Sequence, residues 1–262
     1  MLGLGSSILA PTYLGASYID GFSIDVDGAD GHLTSATFSK EALKSGMSCS
    51  AWFKMDAHDS NNGFIIGGWG AAAQTFRLLN LASGYIQFGV RLDNNGFRKV
   101  ANTDNYGGDG NWHHAVGTFT KNGNITLYID GDSIGDHASG SDRDLQVTDS
   151  NSDNSGTVET GVSIGAKGNF STEADFFHGH INDVGIWNEA LDADAVAAIY
   201  NSGTPTDLTV DDGNYDNSDT LVSYWKFEEG TGTTVADSGT NNKALTLVNH
   251  GDGSTAFSTD TP

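Results

Sequence analysis

Residues 149–153 read Asp149-Ser150-Asn151-Ser152-Asp153, with oxygen-bearing side chains at alternate positions, and Glu159 follows ten residues after Asp149. Alternating oxygens closed by a glutamate are how a loop holds a hard cation such as Ca²⁺. Asn154 stands where such loops usually turn on glycine, and no helix is expected on either side, so a solvated acidic loop accounts for the composition more simply. Asp211, Asp212, Asn214, Asp216 and Asp219 form a second, looser set. Asp27 and Asp30 have ligand chemistry too, but Asp27-Gly28-Ala29-Asp30-Gly31 reads as a hairpin turn. His113 and His114 are adjacent on an expected strand and face opposite ways, so they cannot share a metal. His178 and His180 do share a face, without an evident third ligand, which falls short of a zinc site.

Nucleophilic and acid–base chemistry is poorly supplied. Glutamate occurs only at 41, 159, 173, 189, 228 and 229, and Glu228-Glu229 would face opposite ways in a strand. Cys49 sits among core-like neighbours and reads as packing, and no nucleophile elbow is present. The chain is therefore expected not to be an enzyme. Sugar recognition needs an aromatic platform beside polar loop groups, and Trp69, Tyr106 and Phe170 lie in or beside Gly/Asn-rich stretches. The same aromatics are equally suited to closing the ends of a hydrophobic core.

The elements that must position these groups are mostly strands. Asn111–Gly135 reads as a three-stranded meander: Trp112, His114, Val116, Thr118 and Thr120 alternate with His113, Ala115 and Phe119, then Ile125, Leu127 and Ile129 with Thr126 and Tyr128. Lys121–Asn124 and Asp130-Gly131 supply its two turns. Met47, Cys49, Ala51 and Phe53 share one face of a further strand and Trp52 takes the other. Strands are also expected at 22–26, 64–69, 76–81, 85–92, 162–166, 178–187, 220–227 and 244–248, and a helical turn at 38–44 capped by Ser39. Residues 136–160 read as one polar loop. One helix is expected over 192–201, capped by Asp192, stapled by Leu191 and Val196 and stopped at Gly203, with Asp183 bracing backbone amides beneath it. The pattern gives an all-β antiparallel two-sheet sandwich with one short helix.

Composition narrows the function classes. With 34 acidic against 12 basic residues the net charge is −22, which argues against nucleic acid. No run reaches the roughly 20 apolar residues of a membrane span, so no membrane insertion is expected. Thirty-five glycines against three prolines suit short strands and tight turns, and the single cysteine makes an internal disulfide impossible. Residues 1–19 are apolar and uncharged up to Ile19 and read as an arm that packs on a neighbour, without the basic leader of a secreted protein. Residues 204–262 hold too little core to stand alone and are expected to complete the same domain.

VDGADGHL (26–33), MSCSAWFKM (47–55), NWHHAVGTFTKNGNITLYIDG (111–131), VSIGA (162–166) and FFHGHINDVGIWNEALDADAVAAIYNSG (176–203) together resemble the laminin-G-like, concanavalin A-like lectin/glucanase superfamily of jelly rolls. The resemblance implies one laminin-G-like sandwich over 20–262. LVSYWKFEEGTGTTVADSGTNNKALTLVNHG resembles the opening segment of many such domains yet stands last here, as a circular permutation would place it. That order is similar to proteins of marine tailed bacteriophages. It implies a non-enzymatic virion surface protein (a head decoration, fibre or adhesin), localised to the virion or to an extracellular surface. Residues 1–19 would contact other virion proteins or sister subunits in a homo-oligomer, and the lectin-like module would bind glycans or the host surface. Many relatives bind Ca²⁺ at the sandwich rim, so the resemblance implies Ca²⁺ as the candidate cofactor, with Asp149, Asn151, Asp153 and Glu159 as its candidate ligands, and otherwise none. The glucanases of the superfamily carry paired glutamates on alternate residues of one strand, a spacing this chain lacks. A ligand-free decoration protein and a glycoside hydrolase stay as alternatives.

Overall fold

A computed structural model describes residues 18–35, 41–56, 61–69, 74–93, 96–138, 144–145, 161–168, 174–250, 253 and 255–262. Two antiparallel sheets of eight strands face each other in a jelly-roll-like sandwich. The first runs β10 (Asp132–Ala138), β9 (Asn124–Ile129), β8 (His113–Thr120), β3 (Gly46–Met55), β12 (His178–Trp187), β1 (Ser23–Asp27) and β16 (Phe257–Ser258), and β13 (Leu221–Trp225) also pairs with β12. The second runs β14 (Thr234–Val235), β15 (Leu245–Val248), β2 (His32–Ser35), β11 (Gly161–Ile164), β4 (Gly63–Trp69), β5 (Gln74–Asn80), β6 (Ile86–Arg91) and β7 (Phe97–Ala101).

Alternation decides which side chains meet between the sheets. Met47, Cys49, Ala51 and Phe53 of β3 are fully buried there, with Ala115 and Phe119 of β8 and Ile125 and Leu127 of β9. They face Phe76, Leu78, Phe88 and Val90 of the second sheet. Gly117 leaves the space into which Phe88 leans; a Cβ there would lie 2.1 Å from the ring. The meander follows the expected turns, with Asp130 (φ 51°) and Gly131 (φ 83°) both left-handed as a two-residue hairpin of this twist requires.

The other face of the first sheet is covered as well. Val116, Tyr128, Trp187 and Tyr224 pack against Leu191, Ala195, Val196 and Ile199 of α1 (Ala193–Tyr200) and its approach, and against Leu208 and Tyr215. Asp192 caps the helix by accepting from the Ala195 amide at 2.9 Å, and left-handed Asn201, two residues before the expected Gly203, ends it. Trp187 donates its indole N–H to the Tyr215 hydroxyl (3.0 Å), which donates to the Leu208 carbonyl (2.7 Å). His114 is buried with its ring beside those of Trp52 (4.9 Å) and Tyr200 (6.2 Å), and this desolvation pushes its pKa down to about 4.

Three local readings are corrected and one is met in part. Residues Asp27–Gly31 do not form a hairpin: β1 and β2 belong to different sheets, and the Asp27 carboxylate accepts from the amides of Ala29, Asp30 and Gly31 to turn the chain across the sandwich. The stretch from Asp136 is not all loop, since β10 runs to Ala138 and Leu145 is fully buried in the core. Asp183 does not brace amides. It sits left-handed (φ 45°) in a bulge of β12 and accepts the hydroxyls of Tyr18 and Tyr224. Burial pushes its carboxyl up to about 8, and both phenols are raised by burial and by their place beside it. Of the turn expected at 38–44, a 3-10 turn is present at Glu41–Leu43, and Ser39 lies outside the described residues.

The last sixty residues enter both sheets. β13 and β16 extend the first, β14 and β15 the second. Buried Asp237 gathers the amides of Tyr224, Gly239 and Lys243 and the Ser223 hydroxyl, all at 2.8 Å. Glu228 accepts from the Gly21 and Phe22 amides, and Asp260 binds Lys54 Nζ at 2.7 Å and the Trp112 indole at 2.9 Å. Two outcomes are expected. Calorimetry of the full chain gives a single transition, and a chain ended after Gly203 fails to fold; a truncated chain that melts cooperatively would refute the single unit. Neutral His114 contributes stability that is lost as pH falls from about 6.5 towards 4. His114→Phe keeps the stack without the ionisation, so in urea titrations it gains on the parent by roughly 2–3 kcal/mol between pH 7 and pH 4; parallel pH profiles would contradict this.

Candidate carbohydrate-binding face

Helix α1, Leu208 and Tyr215 cover the outer face of the first sheet around Val116, Tyr128, Trp187 and Tyr224, whereas the outer face of the second presents a broad row of strand side chains. One cross-strand row spans all eight of its strands: Thr234, Thr246, Thr34, Ser163, Gly67, Arg77, Gly89 and Lys99 are successive partners. Small residues, Ser163 and Gly67, form this row on the β4 side of Arg77. Gly168 folds against Ser163, where its Cβ would come within 2.9 Å, and the Ser163 hydroxyl is buried without a hydrogen bond.

Arg77 is held in place by its neighbours. Its guanidinium donates to Gln87 Oε1 at 2.7 Å and Gln74 Oε1 at 3.3 Å, and lies 4.3 Å from the centre of the Phe97 ring. The Phe97 ring in turn occupies the space over Gly89, where a Cβ would stand 2.6 Å from it. Arg91 lies 5.9 Å from the centre of the same ring and donates from Nε to the Gln74 carbonyl at 3.1 Å. Gln74 and Gln87 are buried, and Arg77 Nε and Gln74 Nε2 are buried donors without hydrogen-bond partners. Burial first, and then the charge of Arg91, lower the Arg77 pKa, which Asp175 opposes. A fixed guanidinium fork, adjacent amides and a ring face are the groups that hold vicinal hydroxyls or a carboxylate.

Charge is unevenly divided between the sheets. No strand residue of the second sheet is Asp or Glu, in a chain with 34 of them. Three of its four arginines, Arg77, Arg91 and Arg98, and also Lys99 lie on β5–β7. Five acids, Asp25, Asp27, Asp132, Asp136 and Asp183, are in strands of the first sheet.

The structure separates the residues singled out in the sequence. Trp69 pairs with Gln74 of β5 and Gly161 of β11, which places its backbone beside the arginine cluster. Tyr106 is at the opposite end of the sheet, where its amide donates to the Gly84 carbonyl. Its ring packs on the core and meets His113 edge-on at 4.6 Å. His113 bonds Asp130 (2.7 Å) and Asp109 (3.0 Å); burial lowers its pKa, but the two carboxylates outweigh that and raise it. Phe170, Asp149, Asn151, Asp153 and Glu159 lie outside the described residues. Asp211 accepts the Ser218 amide at 3.0 Å and Asp212 pairs with Tyr215 through the backbone, so two of the second acidic set do turn work. They line a cleft of about 720 Å³ with Tyr18, Pro205, Val210 and Tyr215. Sequence reasoning overlooked Gln74, Arg77, Gln87, Arg91 and Phe97. The available signal was charge: residues 63–101 contain a single acid, Asp93, and four of the twelve basic residues.

Solved structures with this fold include a protein described as carbohydrate binding from Bacteroides ovatus (TM-score 0.61, 17% identity, 87% of this chain and 58% of that one). Others are the SAP-like pentraxin of Limulus polyphemus (TM-score 0.54, 15% identity, 71% and 84%) and a CBM40 module of the Ruminococcus gnavus IT-sialidase bound to α2,3-sialyllactose (TM-score 0.52, 14% identity, 68% and 96%). The chain thus spans under two thirds of the Bacteroides protein, and identities this low establish the fold alone. No curated protein matches. A family model does, across residues 27–197, which covers most of the sandwich described above. The chain belongs to the concanavalin A-like lectin/glucanases superfamily, in its Laminin_G_3 family.

Proposed function

We propose that this chain is a non-enzymatic glycan-binding module whose ligand lies along the outer face of the second sheet, with Arg77 as its anchor and acidic sugars preferred. The observation that carries this is the Arg77 guanidinium held on the Phe97 ring by two buried glutamines. Ordering a long cationic side chain before the ligand arrives lowers the entropic cost of binding. The absence of carboxylates from the strands beneath the ligand gives an anion a favourable local field on a molecule of net charge −22.

The same absence weighs against the hydrolase alternative. A glycosidase needs two carboxyl groups about 5–9.5 Å apart across the scissile bond, and the strand residues of this face supply none. Superfamily membership alone does not separate binding from hydrolysis.

The virion-surface role is a separate proposal. It is supported by the permuted order of segments and by the apolar run at 1–19. Display in many copies would let weak contacts add up to useful avidity. Immunogold labelling of purified phage particles tests it: decorated particles support it, and label confined to unassembled protein refutes it.

For the ligand, titration calorimetry with α2,3-sialyllactose and neutral lactose as probes, backed by a glycan array, gives the decisive comparison. Binding of an acidic glycan is expected, weakened about 10–100-fold by Arg77→Ala and less by Arg77→Lys, which keeps the charge without the fork. Gly89→Ala should weaken it as well, because the added methyl pushes Phe97 from under Arg77. Equal affinity in folded Arg77→Ala protein would remove this site, and no binding across the array would favour the ligand-free decoration role.

A further inference from the structure

At the end of the first sheet remote from α1, four side chains converge without bonding one another. Ile24 and Val26 point into the core, so Asp25 points outward. Register sets Asp25 opposite His180 and Asp27 opposite His178. On the other edge of β12, Gly179 pairs with Met55 and His180 with Lys54, and Asp56 follows immediately, its amide donating to the His178 carbonyl at 3.3 Å. Gly179 permits this approach: it has φ 137°, and a Cβ would stand 2.1 Å from the Lys54 carbonyl oxygen. A glycine between two histidines thus brings both imidazoles to the end of β3.

One ligand atom each from Asp25, Asp56 and His180 lie within 4.8 Å of one another. His180 Nε2 is 3.7 Å from Asp56 Oδ1, and His178 Nε2 is 3.9 Å from Asp56 Oδ2. These separations exceed a hydrogen bond and are close to the spacing of ligands around one ion. At metal–ligand distances of about 2.0–2.2 Å, tetrahedral neighbours stand roughly 3.4 Å apart. Asp56 and His178 are exposed, so their side chains have room to adjust around an ion. His180 is largely buried, with Nδ1 lacking any hydrogen bond. The nearby cation Lys54 is taken up by Asp260 at 2.7 Å, which leaves Asp25 and Asp56 to set the local charge.

We propose that Asp25, Asp56 and His180, with His178 as the fourth ligand, bind a first-row divalent transition-metal ion, Zn²⁺ by preference. Two imidazoles with two carboxylates suit Zn²⁺ or Co²⁺, whereas Ca²⁺ takes six to eight oxygens. The ion would join β1, β3 and β12 at one point, a structural site distinct from the glycan face of the second sheet.

The test uses the full chain without a histidine tag, stripped with EDTA and dialysed. Titration with Co²⁺ is expected to give one equivalent with the intensified visible bands of tetrahedral coordination. Zn²⁺ at a hundredfold excess over its Kd is expected to raise Tm by about 5–10 °C, and millimolar Ca²⁺ to leave the Co²⁺ spectrum unchanged. His180→Ala abolishes both signals, and the exposed Asp56→Asn, which threatens folding less, weakens Co²⁺ binding at least tenfold. The Asp149→Asn/Asp153→Asn double variant retains both signals. Absence of stoichiometric binding to the folded parent, survival of the signals in His180→Ala and Asp56→Asn, or their loss in the double variant would each overturn the assignment.

Discussion

Strand β12 is buried on both faces from Ile181 onward and carries three partners. Along one edge it pairs with β3 throughout; along the other it pairs with β1 through Ile181 and with β13 from Val184. The bulge between Asn182 and Gly185 falls between the stretch paired with β1 and the stretch paired with β13. Asp183 occupies it in the left-handed region, fully enclosed, and its carboxyl group is tolerable there because Tyr18 and Tyr224 donate to it. The helix-side core, the attachment of the carboxy-terminal strands and the seating of residues 18–22 all meet at this one polar cluster.

Much of the architecture was legible because strand patterning has a period of two. The faces of β3, β8 and β9, the Asp130-Gly131 hairpin and the Asp192 cap follow from local chemistry. Local chemistry does not say which sheet a strand joins. Asp27–Gly31 has the composition of a hairpin turn, yet it carries the chain from one sheet to the other, and the same Asp27 hydrogen bonds serve either course. Leu145 was lost in a polar stretch because a single apolar residue has no period.

The candidate face was harder to read than the fold. Gln74, Arg77, Gln87 and Phe97 come from three strands and become neighbours only through cross-strand register, which no single segment encodes. Trp69 is visible in isolation as an aromatic at a strand end, whereas its pairing with Gln74 is not. The two histidines lie more than a hundred residues beyond Asp25 and Asp56, so that cluster too comes together only through register. What the one-dimensional pattern did carry was the scarcity of acids between residues 63 and 101.

The sandwich also guards its flanks. On one side each sheet ends in a strand only two residues long, β14 and β16. On the other, β10 and β7 lie side by side, with Gly135 facing Val100. A newcomer strand finds little backbone to zip onto at either margin. Copies of this protein crowded together would accordingly meet through side-chain surfaces rather than fuse into continuous ribbons.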